Sequence, residues 1–237
     1  MRLLSLCVLA LSLHLPASGA STSNSDELIA PAFRAPGAGA LVILLPDQSG
    51  GGQYEAANGF VMKQLQAQLT AAGYKVKGLD AANYQVLWAQ EVAVAGGLYD
   101  PADGQFRSAA YGKAMSALAQ RIAADTGAAL VLKPALVLRQ ARLQGKTAEW
   151  DGQRKMPKLK DNFGDDHRFD GHTVAISLEC LAIAGSGEFA FKTLGGVTLP
   201  YRGDAWDGKQ EIRDDLFAND KEIAEGVQIA LRPLLRP

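Results

Sequence analysis

Histidine occurs three times in this chain, and two of the three stand in one short acidic stretch running from Asp161 to His172. Carboxylate oxygens and imidazole nitrogens are ligands that divalent metals take. Asp161, Asp165, Asp166, His167, Asp170 and His172 are therefore the candidate metal ligands. A divalent metal there, with His167 and His172 as ligands, would supply the chemistry of a metal-assisted hydrolase. The spacing fits neither an EF-hand loop nor H-E-x-x-H. Arg168, Lys158 and Lys160 oppose a cation, so the plainer expectation is a solvated loop with no cofactor.

Three other groupings have chemical potential. Ser49-Gly50-Gly51-Gly52 follows an apolar run and precedes a helical pattern, and backbone amides at such a junction can hold an anion or line a cleft for a small ligand. The order of residues matches neither nucleotide-binding glycine signature, so a structural turn is the simpler reading. A basic run, Arg139, Arg142, Lys146, Arg154, Lys155, Lys158 and Lys160, is the marked charge asymmetry of the chain. It suits an acidic partner such as an anionic glycan or a lipid headgroup, although Glu149 and Asp151 interrupt it. Asp204, Asp207, Asp214 and Asp215 could pair for acid–base work, yet nothing in the sequence fixes their separation. No G-x-S-x-G nucleophile elbow occurs. Cys180 sits in an alternating apolar strand pattern, where a cysteine acts as a small hydrophobe. Trp88, Trp150 and Trp206 read as packing residues. No residue is assigned a catalytic role.

The elements that must position these groups follow an export signal. Arg2 precedes an apolar run from Leu3 to Leu15, Pro16 breaks it, and Ser18 and Ala20 supply the small residues that signal peptidase needs. Residues 1–20 thus read as a signal peptide, and the run is too short to span a bilayer. Cys7 lies inside the run rather than after it, which argues against a lipid anchor. Removing the leader, with its one arginine, leaves 217 residues at a net charge of −2. That balance predicts no bulk attraction to nucleic acid or to an anionic membrane. Cys180 is then alone, so the fold must stand on its core without an internal disulfide. The hydrophobic fraction of 48% suits that.

Residues 21–38 read as a flexible lead, and residues 39–237 as one α/β domain with a polar loop at about 145–172. Leu41 to Leu45 is apolar throughout, as in a strand covered on both faces. A helix is expected over 54–72, closed by Gly73, then a strand over 74–79. Asp80 caps a helix over 81–95. A third helix runs over 106–126, with Phe106, Ala110, Ala114, Leu118 and Ile122 facing inward and Gly127 as its stop. The strand over 128–143 contains Pro134, which places it at an edge or a bulge. A strand over 148–154 packs through Trp150. Residues 173–184 and the stretch after Gly185-Ser186-Gly187 form a hairpin, and 195–201 adds a short strand. A helix over 220–231 starts at Asn219, with Glu222 completing a capping box. The fold class is α/β: a two- or three-layer sandwich on a mixed sheet, parallel βαβ first, then an antiparallel hairpin and a C-terminal helix.

This pattern resembles a group of bacterial envelope proteins comprising the curli-secretion-channel subunit, the lipoprotein activators of penicillin-binding proteins, and related small lipoproteins. The resemblance rests on an export signal followed by LVILLP, a glycine-ended helix leading to GYKV, the junction ADTGAALVLKP, and a hairpin before the last helix. It covers about Ala40 to Leu235. It implies binding to other envelope proteins, or assembly with them or with further copies, rather than catalysis. The stretch from Gly145 to His172 lacks the alternating apolar segments of a membrane β-barrel, which argues against a pore. The expected function is that of an exported, periplasmic, non-enzymatic accessory protein whose partner is another envelope protein. The alternative is a metal-binding protein or metal-assisted hydrolase using the Asp161–His172 loop.

Overall fold

The computed structural model describes residues 26–46, 55–158, 168–203 and 210–235. Its frame is an 8-stranded mixed sheet: six strands in the order β1-β8-β7-β4-β2-β3, with β5 paired to β4 and β6 to β5 making up the eight. The strands are β1 (Leu28–Ile29), β2 (Leu41–Leu44), β3 (Lys75–Gly78), β4 (Leu130–Gly145), β5 (Thr147–Trp150), β6 (Gln153–Lys155), β7 (Phe169–Ala184) and β8 (Phe189–Thr198). A separate two-stranded piece pairs β9 (Tyr201–Gly203) with β10 (Gln210–Ile212). The helices are α1 (Glu55–Ala71), α2 (Ala81–Val94), α3 (Ser108–Thr126) and α4 (Asp220–Ala230).

The apolar run at Leu41 becomes β2 because only a strand covered on both faces can bury every side chain. It pairs parallel with β3 on one side and with the start of β4 on the other. Val42 and Leu44 point into a core shared with α1 and α4, including Val61, Leu65, Leu69, Ile223 and Val227. Ile43 and Leu45 point the opposite way, into a core with Tyr84, Met115, Leu118 and Ile122 of α2 and α3. The sandwich therefore has three layers. Gly73, at φ 92°, lets α1 stop and hands the chain to β3. Asp80 caps α2 by accepting from the amides of Ala82 and Asn83, as its position predicted.

From β4 onward the sheet is antiparallel. β4 and β7 pair over their full sixteen residues, Leu130 against Ala184 through Gly145 against Phe169. At about 3.3 Å per residue this ribbon is about 50 Å long, more than the helical layers can cover. Near its end β5 folds back on β4, and β6 on β5. The Asp151-Gly152 turn between them has φ values of 35° and 77°, the paired positive values of a two-residue hairpin. The hairpin curls over the sheet. Ala141, Ala148, Trp150, Ala175 and Leu199 form a small third core beneath it.

Several expectations change. Residues 169–172, expected in the polar loop, are strand, because they pair with Arg142 to Gly145. The expected strand over 148–154 is two strands with a turn at Asp151. Residues 195–198 continue β8 rather than starting another strand. Pro134 lies in an interior strand, not an edge one. Leu132 accepts from Leu45 across β2, and alternation turns Pro134 the same way, where β2 has already ended, so its missing N–H costs no ladder bond. Phe106 lies before α3 and is 51% exposed rather than in the core; it bridges to Tyr99 instead. Part of the stretch read as a flexible lead is β1, which pairs Leu28 with Lys192 and Ile29 with Phe191. Glu222 does not turn back to Asn219. Its carboxylate accepts from Thr198 and lies 3.8 Å from Arg213.

Candidate functional site

The far end of the β4–β7 ribbon is where sequence candidates and exposed surface coincide. His172 is paired with Arg142, Arg142 with Glu149, and Glu149 with Arg154. Directly opposed residues in antiparallel strands share a face. One row therefore crosses β7, β4, β5 and β6 as His172–Arg142–Glu149–Arg154, and all four are exposed. Arg154 holds Glu149 at 3.1 Å and donates to the Thr147 hydroxyl at 3.2 Å. Lys146 stands exposed at the β4–β5 turn. An open recess of about 400 Å³ runs beside the row, lined by Arg142, Glu149, Arg154 and the Trp150–Gln153 turn. The opposite face of the same strands is dry, closed by Trp150 and Ala141.

A partly buried clamp fixes this end to the body. The Asp151 carboxylate accepts from Arg139 Nε at 2.9 Å and from the Ser177 hydroxyl at 2.6 Å. Arg139 Nη1 donates to Asp26 at 2.7 Å. The Asp151 carbonyl accepts from Gly196. One residue in a two-residue turn thus ties the hairpin to β4, β7 and β8, and Arg139 extends the tie to the segment Asp26 to Ile29, an N-terminal strap that includes β1. Hydrogen bonding and the charge of Arg139 hold the Asp26 carboxyl below the ordinary carboxylate range. Next along the strap, Glu27 pairs with Arg232 at 2.5 Å and caps the Leu194 amide. Composition does not reveal this clamp. The visible signal was the dipeptide Asp151-Gly152 beside a tryptophan, a hairpin turn signature.

The basic run does not gather on one surface. Arg139 is drawn into the clamp. Arg142 and Arg154 share the exposed row. Lys155 points to the other face, where its Nζ donates to the Val197 carbonyl at 2.9 Å and lies 3.8 Å from Glu225. Burial lowers its pKa, against the opposing pull of Glu222 and Glu225. Lys158 pairs with Asp215. Lys160 is outside the described residues.

Of the metal candidates, Asp170 and His172 lie two residues apart on one face of β7, whereas Asp161, Asp165, Asp166 and His167 fall outside the described residues. Among the described residues no group of three or more His, Cys, Asp or Glu could hold a metal ion. Ser49, Gly50, Gly51 and Gly52 are also outside them, as are Asp204 and Asp207. Asp215 accepts from Arg213 at 2.8 Å and from Lys158, and these bonds hold it well below the ordinary carboxylate range. Asp214 accepts from Arg202. Cys180 is fully buried. On the far face, burial, with Tyr84 and Glu179 adding to it, pushes the Tyr111 hydroxyl up to about 12.

Fold and site together define a three-layer α/β protein with a long antiparallel ribbon clamped to an N-terminal strap. No family model matches the chain, and no curated protein matches it. Solved structures similar to it include two of the PelC dodecamer from Paraburkholderia phytofirmans. One is 11% identical, with a TM-score of 0.43, covering 89% of this chain and 96% of that one. The other, a point variant, is 10% identical, with a TM-score of 0.42, covering 89% of this chain and 97% of that one.

Proposed function

We propose that this chain is an exported, non-enzymatic accessory protein of the bacterial envelope, and that it binds another envelope component through the outer face of its ribbon end. The observation that carries the reading is the row His172–Arg142–Glu149–Arg154. It is a polar, net-positive face on strands that outrun the helical layers, and it is held rigid from behind by the Asp151 clamp. Rigid elements present binding groups more accurately than loops do. The leader at residues 1–20 supplies the compartment.

The test is crosslinking in intact cells followed by capture of the mature chain. A specific envelope partner should be recovered, and Arg142→Glu with Arg154→Glu should lose it while the protein still accumulates at full length. Recovery unaffected by the double charge reversal would refute the ribbon face as the docking surface. Sequencing of the exported protein should begin at Ser21. The metal-binding alternative is separated by elemental analysis of protein purified without chelators: a stoichiometric divalent metal lost in His167→Ala/His172→Ala would replace the accessory reading.

A further inference from the structure

The outer face of the ribbon end carries more hydrogen-bond donors than it uses internally. Arg154 reaches the Glu149 carboxylate and the Thr147 hydroxyl through Nε alone, so both of its terminal nitrogens remain available. Among the described residues the Arg142 guanidinium and the His172 ring have no partner. Gln140 and Gln144 stand two residues to either side of Arg142 on β4, exposed on the same face, and their amides both donate and accept. Lys146 at the β4–β5 turn and Arg168 just before β7 are exposed cations at the tip. Two acids oppose them. Glu149 is paired with Arg154, and Asp170 accepts from the Gly171 amide. This end is therefore locally positive on a mature chain whose net charge is −2.

The spacing of these groups selects a ligand. β4 and β6 flank β5, so Arg142 and Arg154 are two strand spacings apart, about 10 Å, and Glu149 lies between them. A guanidinium takes a carboxylate in a two-pronged grip. An extended, two-fold chain of uronic acid units presents every second carboxylate to the same side, over a span of that order. The unit between turns its carboxylate away and offers hydroxyls, which an acceptor such as Glu149 can take. The one acid in the row is thus placed where an anionic glycan brings no charge. The open recess of about 400 Å³ beside Arg142, Glu149 and Arg154 gives the chain room. A protein partner would look for apolar or aromatic anchors, and the row has none. An anionic bilayer is drawn to larger, unbroken basic clusters.

We infer that the ribbon face binds a linear, carboxylate-bearing polysaccharide lying across β4, β5 and β6. Arg142 and Arg154 each grip a carboxylate, and Gln140 and Gln144 take hydroxyls on its flanks. The inference rests on the reading of this face as the docking surface and names its ligand.

Calorimetric titration of the mature chain with polygalacturonate and with alginate tests it. Both should bind at low salt, and less well as salt rises. Arg142→Gln with Arg154→Gln should weaken binding about a hundredfold, roughly tenfold for each guanidinium, with the melting curve unchanged because both side chains are exposed. Lys113→Gln, exposed on α3, should bind as the unsubstituted chain does. Methyl-esterified polygalacturonate keeps the hydroxyls and loses the charge, and should bind as weakly as the double variant does. Trigalacturonate, which spans both arginines, should bind better than digalacturonate, which does not. Binding of neither polymer, equal affinity for the ester, equal loss in Lys113→Gln, or no gain from the third unit would each overturn the inference. So would binding to phosphatidylglycerol vesicles in place of both polymers, which would assign the face to a membrane. Capture of an envelope protein that depends on Arg142 and Arg154, with neither polymer bound, would overturn the glycan and leave the docking face standing.

Discussion

From Leu130 to Leu136, β4 is buried or half-buried at every residue; from Leu138 to Gln144 every second residue is exposed. The strand and its partner β7 are continuous across that change. What differs is the covering. The first half has α1 and α4 on one side and α2 and α3 on the other. The second half has the β5–β6 hairpin on one side and solvent on the other. A single pair of strands thus serves as core at one end and as display at the other. The clamp at Asp151 is what lets the display end be rigid without a helix.

Matched substitutions in the two halves should differ most in cost. Leu132→Ala removes a fully buried side chain between helical layers and should cost about 3 to 4 kcal/mol. Leu138→Ala, six residues along the same strand and 60% exposed, should cost about 0.5 kcal/mol or less. Urea midpoints at constant slope measure both, and equal losses would mean that the ribbon end is packed as tightly as the core. Next in size is Gly195→Ala. A Cβ there meets the Gly226 carbonyl of α4, which is backbone and cannot swing aside. The expected cost is about 2 to 3 kcal/mol. Gly104→Ala meets no atom within 4 Å but stands at φ 71°, so its strain of about 1 kcal/mol marks how much of the Gly195 effect is collision.

The same contrast explains what was legible in the sequence. The helix-covered half was readable because its signals are local. Leu41 to Leu45 is apolar without a break, Asp80 caps, and Gly73 and Gly127 stop helices. The ribbon half depends on pairings between residues far apart. Nothing around Phe169 to His172 marks it as strand until Gly145 to Arg142 is beside it. The strap was hidden for the same reason: Asp26 and Glu27 look like solvated acids until Arg139 and Arg232 are brought to them. Of the candidate groups, the sequence supplied Arg142, Arg154 and His172 as members of longer series. Only the strand register showed that these three share a row while Lys155 faces away.

Breaking the clamp tests whether the display end is held as described. Arg139→Ala leaves the Asp151 carboxylate, whose side chain is only 7% exposed, with the Ser177 hydroxyl alone. Stripping one partner from a largely buried pair should cost about 2 kcal/mol here, less than for a fully buried one because Arg139 is 22% exposed. Amide exchange should speed up in β5 and β6 while β2 and β3 keep their protection. Uniform acceleration would show that the ribbon end is not a separate unit.

The smallest effect isolates the strap. Asp26 has a folded-state pKa held below its ordinary value by Arg139. A carboxylate with a depressed pKa stabilises the fold above its unfolded-state pKa, and that contribution disappears as pH falls through the lower, folded-state value. Asp26 is half exposed, so solvent screening holds its contribution to about 1 kcal/mol or less. Asp26→Asn should therefore lower the urea midpoint slightly at neutral pH. The gap to the unsubstituted chain should stay constant down to about pH 4 and then shrink as the pH falls further. A gap that persisted undiminished in acid would assign the effect to packing of the strap rather than to the charge of Asp26. In that case the hold on the ribbon end would come from β1 pairing with β8, and the acidic pair Asp26-Glu27 would be incidental to it.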